Sequence, residues 1–197
     1  MQEGYYRLAA VLVLLLFYAV YFGKMLAQRR KGIRTDQIGR RKEKRLHRVE
    51  TLMKLATYCV VPVQLLSVGL GWSWLPAGAR LGGFVVGLLG DAIFLAAVLC
   101  MKDSWRAGIP ETDKTAIVTG GIYAVSRNPA FLGFDLMYLG ILLLYCNPLT
   151  AVFSAFAAVM LHLQMLQEER YLDATFQDAY RDYKKKVFRY FGRSRKG

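Results

Sequence analysis

The chain has 197 residues, 55% of them hydrophobic and 21% charged, and its apolar content falls in long blocks that suit membrane spans better than a soluble core. No Gly/Ser-rich or Pro-rich linker divides it, so residues 1–197 read as one membrane domain: three spans and a basic loop in 1–101, then 102–197 with the polar motifs. A net charge of +13 would suit nucleic acid, but the basic residues flank apolar runs and point to a membrane surface; Cys59, Cys100 and Cys146 have no CxxC spacing or neighbouring histidine, which argues against a metal site or a disulfide framework.

Residues 8–27 form an apolar run long enough to span, interrupted only by Gly23 and Lys24. Its positive charge follows rather than precedes it, as Arg29-Arg-Lys31, so a permanent helix is expected rather than a cleaved leader. Residues 24–54 then carry twelve Lys or Arg. They fit a cytoplasmic loop obeying the positive-inside rule, with an anionic lipid surface as the functional alternative.

The second span, residues 52–75, carries a kink-prone Pro62 and ends in the interfacial pair Trp72 and Trp74. Pro76-Ala-Gly78 makes a short turn into the third span, residues 81–101. Asp91, near the middle of that span, is either a functional carboxylate or a hydrogen-bonded packing residue. A polar loop follows over residues 102–126.

The fourth apolar run, residues 131–146, is about 24 Å long as a helix and marginal for a full crossing. Asn147-Pro148 turns it into a fifth run, residues 149–166. The expected fold is therefore all-α, with five transmembrane helices. Beyond them, Leu172, Phe176, Ala179, Tyr180, Tyr183, Val187 and Phe191 recur at near-helical spacing, which predicts an amphipathic helix over 168–191 that folds back on the cytoplasmic surface. With the N-terminus outside and the C-terminus inside, only Arg7 and Arg80 of the 27 basic residues fall on the outer side.

Two polar segments flank the last two spans. In Gly121-Ile-Tyr-Ala-Val-Ser-Arg-Asn-Pro-Ala-Phe-Leu-Gly133, Pro129 suits the first helical position and Asn128 the N-cap. The helix N-terminus and Arg127 favour an anionic group there. The hairpin returns Gln167-Glu-Glu-Arg170 to the same side, giving either a mixed-charge pocket or a capped helix with two solvated glutamates. Asp135, one turn into the fourth span, either faces that pocket or hydrates the helix.

The segment Arg127-Asn-Pro-Ala-Phe-Leu-Gly133, followed one hairpin later by Glu168-Glu169, resembles the isoprenylcysteine carboxyl methyltransferase and phospholipid methyltransferase superfamily, bacterial members included. The flanks Val118-Thr-Gly-Gly-Ile-Tyr123 and Phe176-Gln-Asp-Ala-Tyr-Arg-Asp-Tyr183 extend the likeness, with Val187 and Arg189 continuing it, over residues 104–191. The resemblance implies a catalytic core in 102–197 that uses S-adenosylmethionine. It places cofactor contacts on Thr115, Ala116, Ile117, Val118, Tyr123, Asn128, Pro129, Ala130, Phe131 and Glu168. It implies catalytic roles for Arg127, Glu168 and Glu169, and substrate contacts at Gln164, Asp135, Trp105 and Arg106. Asn128 and Phe131 replace the family's usual His and Tyr, and Gln164 replaces an Arg that touches substrate in the prenylcysteine enzymes.

The reaction implied is methyl transfer to a lipophilic acceptor arriving from the bilayer, a carboxylate ahead of a lipid amine. The site would face the cytoplasm of a multi-pass membrane protein, the inner membrane in a bacterium. Two other readings stay open at this point: a sterol-reductase-like enzyme using NADPH, and a non-enzymatic scaffold holding anionic lipid.

Overall fold

A computed structural model describes residues 2–35, 44–106 and 117–194. Five helices account for nearly all of it: α1 (Gln2–Arg30), α2 (Lys44–Leu70), α3 (Ala77–Met101), α4 (Pro129–Leu144) and α5 (Pro148–Lys186). Among the described residues there is no strand, only an isolated antiparallel bridge between Val187 and Arg193. By length and composition α1, α2, α3 and α5 can each cross a membrane, while α4 is a shorter apolar helix. Outward-facing Leu8, Leu15, Leu55, Leu81, Val85, Leu99 and Val152 are exposed, as lipid contact requires.

Small residues bring α3 and α4 together. A Cβ added to Gly140 of α4 would lie 2.5 Å from the Cα of Gly87, and one on Gly83 would lie 2.7 Å from the Gly140 carbonyl oxygen. One on Gly90 would lie 2.7 Å from the Met137 nitrogen, and one on Gly133 2.8 Å from the Phe94 Cβ. Backbones this close gain packing and lose nothing to desolvation, which is how helices associate without a hydrophobic drive in lipid. Phe17 of α1 stacks on Phe94, with ring centroids 4.4 Å apart, and meets Phe134 edge-on at 4.6 Å. Meanwhile α2 lies along α5.

Polar ties hold both ends of the bundle. At one end Arg80 forks onto Glu3 at 2.8 and 3.1 Å, and its Nε donates to the Leu144 carbonyl at 2.9 Å. The Tyr145 hydroxyl also donates to Glu3, at 2.8 Å. One arginine thereby joins the start of α1, the start of α3 and the end of α4. At the opposite end Gln28 Nε2 donates to the Trp105 carbonyl at 2.9 Å, and Lys31 pairs with Asp103 at 2.8 Å.

Two boundaries differ from the sequence expectation. Helix α2 stops at Leu70 because Gly71 takes φ 66°, so Trp72 and Trp74 sit in the turn beyond rather than on the helix. Pro62 lies inside α2. The helix of the last apolar run continues through Phe176, so the separate amphipathic helix spans 178–186 rather than 168–191. The non-helical kink at Gln177 (φ 44°, ψ −117°) joins the two and turns the second back over the joint, where Tyr183 reaches the Tyr123 carbonyl, and the chain continues after Lys186 as an extended turn. The basic run Arg40-Arg-Lys42 lies outside the described residues.

A side chain at Gly140 would meet backbone, which cannot move aside as a flexible side chain would. Gly140→Val should therefore destabilise the protein by about 3 kcal/mol or more, read as a lower unfolding temperature in detergent; Leu139→Val, at a lipid-facing position, should leave it unchanged.

Candidate functional site

The site is built where the start of α4, the far part of α5 and the C-terminal segment converge. Gly121 begins a single 3-10 turn, Gly121–Ala124, with φ 57° and so close to Cys100 that a Cβ would lie 2.7 Å from its sulfur. Only glycine takes that conformation at that distance without strain. The turn buries Tyr123 and aims its carbonyl at the Tyr183 hydroxyl, which donates to it at 2.6 Å and to the Ser126 carbonyl at 3.3 Å. Burial first, and then the Glu168 carboxylate, hold the Tyr123 phenol above its usual range, so it keeps its proton.

Pro129 occupies the first turn of α4 and Asn128 the N-cap position, but the Asn128 side chain caps nothing. Its Nδ2 donates instead to Glu169 Oε1 at 2.8 Å. That same oxygen receives Arg127 Nη2 at 3.0 Å and Nε at 3.3 Å. The second oxygen, Oε2, receives Arg189 Nη2 at 2.9 Å and Nε at 3.1 Å. Glu169 and Arg127 are almost fully enclosed, with side chains 5% and 8% exposed. A buried carboxylate surrounded by five N–H donors, four of them on guanidinium groups, is held as the anion.

The C-terminal segment is laced to the same joint through its backbone. The Arg127 amide donates to the Phe188 carbonyl at 3.0 Å and the Gly192 amide to the Val125 carbonyl at 2.7 Å. Arg127 Nη1 donates to the carbonyls of Lys184 at 3.1 Å and Val187 at 3.3 Å. Tyr180, Tyr183 and Val187 form a small apolar cluster with Ile117, Leu172 and Phe176 beneath.

Glu168 is placed differently from its neighbour. Among the described residues its only side-chain hydrogen bond is a long one, 3.4 Å, from Gln164 Nε2. Among the same residues Gln164 Oε1 and Gln167 Oε1 are buried without a partner. Three acceptors thus cluster on one part of α5 with almost no donors to meet them. A polar group left so in a low-dielectric setting calls for a ligand or ordered water that donates.

The other predicted residues scatter. Pro129 is buried, and Ala130 and Phe131 pack on the apolar core. Val118 is half-buried in the segment before the turn. Thr115 and Ala116 lie outside the described residues. Trp105 is buried against Tyr21 and Phe94, and Arg106 donates to the Asp103 and Trp105 carbonyls at 2.6 and 2.9 Å, both on the side of α3 that meets α1. Asp135 lies in α4 with Oδ1 buried and, among the described residues, without a partner. The clamp role of Arg189 and the contacts of Tyr183 and Tyr190 did not follow from spacing, because they arise from chain beyond the kink at Gln177.

Removing one partner of a buried, hydrogen-bonded ion pair leaves an uncompensated charge, so Glu169→Ala should cost about 3–5 kcal/mol and free the C-terminal segment. Limited proteolysis of the detergent-solubilised protein should then cut within 187–194 at least tenfold faster, in line with a loss of well over 1.4 kcal/mol in local stability.

Residues 83–174, from α3 through the acidic pair, match the model of the isoprenylcysteine carboxyl methyltransferase (ICMT) family. The Protein-S-isoprenylcysteine O-methyltransferase of Xenopus laevis is 29% identical over 108 residues, covering 53% of this chain and 38% of that protein. Protein-S-isoprenylcysteine O-methyltransferase B of Arabidopsis thaliana is 28% identical over 110 residues, 53% of this chain and 55% of its own. The Schizosaccharomyces pombe protein of the same name is 39% identical over 72 residues, 36% of this chain and 30% of that one. The matched part of the chain thus spans about half the length, or less, of these curated relatives. The helix-start motif at Arg127, the α4–α5 hairpin and the Glu168–Glu169 pair all fall within the matched residues, and it is in this part that the chain is similar to the isoprenylcysteine carboxyl methyltransferase family.

Proposed function

We propose that this protein is an integral membrane methyltransferase that moves a methyl group from S-adenosylmethionine to the carboxylate of a prenylcysteine-type amphiphile. The observation that carries the reading is the division of labour within the acidic pair: Glu169 is saturated by Arg127, Asn128 and Arg189, while Glu168, Gln164 and Gln167 present unmet acceptors beside Tyr123. That donor-poor cluster fits a cationic, donor-rich ligand, and S-adenosylmethionine carries an ammonium, ribose hydroxyls, an adenine amine and a sulfonium.

In this reading Glu168 accepts from the cofactor's hydroxyl or amine groups, with Gln164 and Gln167 beside it. Glu169 is a positioning residue: it fixes Arg127 and Asn128 at the start of α4 and ties the C-terminal segment over the site. Tyr123 and Phe131 supply aromatic walls suited to an adenine or to the positive sulfonium. When bound, the cofactor supplies a methyl group already activated for displacement. A carboxylate acceptor needs no base, so the protein's part is alignment and exclusion of water. The names of the relatives favour this acceptor over a lipid amine.

Glu168→Ala should weaken binding of radiolabelled S-adenosylmethionine to the detergent-purified protein by more than about tenfold, the worth of a charge-assisted hydrogen bond. Unchanged affinity, or binding of NADPH in its place, would reject the site.

We further propose five crossings with the C-terminus and the site facing the cytoplasm, the short α4 being tilted or partly sunken. The asymmetry of basic residues supports this: Arg7 and Arg80 lie at one end of the bundle and most of the others at or beyond the opposite end. On a cysteine-free background, a cysteine at Ser73 should react with an impermeant maleimide added outside intact cells, and one at Ser194 only after permeabilisation.

A further inference from the structure

Histidine is unusual within an apolar helix, and His162 lies in the apolar run of α5, seven residues and about 10 Å along the axis from Glu169. Its Nδ1 is 2.7 Å from the Tyr190 hydroxyl, and the two rings are stacked with centroids 6.0 Å apart. Tyr190 belongs to the C-terminal segment. The preceding residue, Arg189, grips Glu169, while Tyr190 reaches two turns further along α5. Burial first, and then the Asp135 carboxylate of α4, push the Tyr190 phenol above its ordinary value, which places it within the field of both helices. On either side Phe188 and Phe191 are 53% and 72% exposed, so the segment that carries Tyr190 is faced with aromatic surface suited to a bilayer interface.

Three polar groups from three elements, Asp135, His162 and Tyr190, therefore stand deeper along the helices than the Glu168–Glu169 pair. The hydrogen bond of His162 to Tyr190 explains two of them as a satisfied pair. It does not explain Asp135, whose Oδ1 is buried and unmatched.

We propose that Tyr190 and His162, with Asp135, form the acceptor-side stop of the site: a polar station that recognises an amphiphile whose head group has a hydrogen-bond donor beside its methylated carboxylate. Asp135 takes that donor, and the hydroxyl–imidazole pair offers its proton to the carboxylate. The apolar tail remains among the lipid-facing side chains. This rests on the methyltransferase reading and adds to it the residues that choose the acceptor. Among the described residues no hydrogen bond or ring contact joins Tyr190 or His162 to Glu168 or Tyr123, so their removal should separate acceptor recognition from cofactor binding.

The test uses full-length protein in detergent, a diazirine-bearing N-acetyl-S-farnesylcysteine as photoprobe, and radiolabelled S-adenosylmethionine as an independent ligand. Tyr190→Phe and Asp135→Asn should each raise the probe concentration for half-maximal labelling by about tenfold, the loss of one hydrogen bond, with cofactor affinity unchanged. Labelled peptides should come from α4 and the apolar part of α5. Labelling that is absent, that maps elsewhere, or that is equally strong in both variants would overturn the proposal. So would a parallel fall in cofactor affinity, which would assign the pair to holding the C-terminal segment. Failure of the methyltransferase reading would show separately, as no cofactor binding by the unaltered protein.

Discussion

A single buried carboxylate holds the working end of this protein together. Glu169 joins the start of α4, the far part of α5 and the chain beyond Lys186, through hydrogen bonds from Arg127, Asn128 and Arg189. Desolvating a carboxylate and two guanidinium groups is costly, and their attraction offsets that cost only when the geometry is good and the remaining lone pairs are met. Both conditions hold here. The consequence is order: the C-terminal segment, which has almost no secondary structure, acquires a defined course over the joint and carries Tyr190 to His162.

That arrangement depends on α4 being where it is, and α4 is set by backbone packing rather than by charge. Gly83, Gly87 and Gly90 on α3 meet Gly133, Met137 and Gly140 on α4 closely enough that no side chain fits between. A rigid two-helix unit results, tied off at the far end by Arg80. Its near end presents Arg127 and Asn128 to α5 in a fixed direction. The functional end is thus built on helix starts rather than on long loops, which would suit the proposed methyl transfer, whose rate depends on alignment.

The two glutamates illustrate how one helix serves two purposes. Adjacent residues on an α-helix project about 100° apart, so Glu168 and Glu169 cannot face the same partners. Glu169 meets the cations; Glu168 meets Gln164, one turn earlier, and little else. A charge fully enclosed by donors serves structure, whereas an acceptor without donors awaits them. The same contrast separates Arg80, saturated by Glu3 and the Leu144 carbonyl, from Asp135, whose Oδ1 is unmatched.

The amino-acid sequence by itself determined five apolar helices and the heads of the last two, because these follow from local chemistry: apolar runs of spanning length, and Asn-Pro at the head of α4 and again at the head of α5. It also brought Arg127 and the acidic pair to one side of a short helical hairpin, while leaving open whether they form a pocket or stay solvated. Only the tertiary structure decided which glutamate Arg127 takes, that Asn128 leaves its cap for Glu169, and that Arg189 and Tyr190 complete the joint. Those outcomes depend on the rotation of α5 about its own axis and on the path of the chain after Lys186, and neither leaves a periodic trace in the order of residues. The α3–α4 contact was of the same kind: its glycines stand in plain view, yet their meaning depends on a partner helix some fifty residues away.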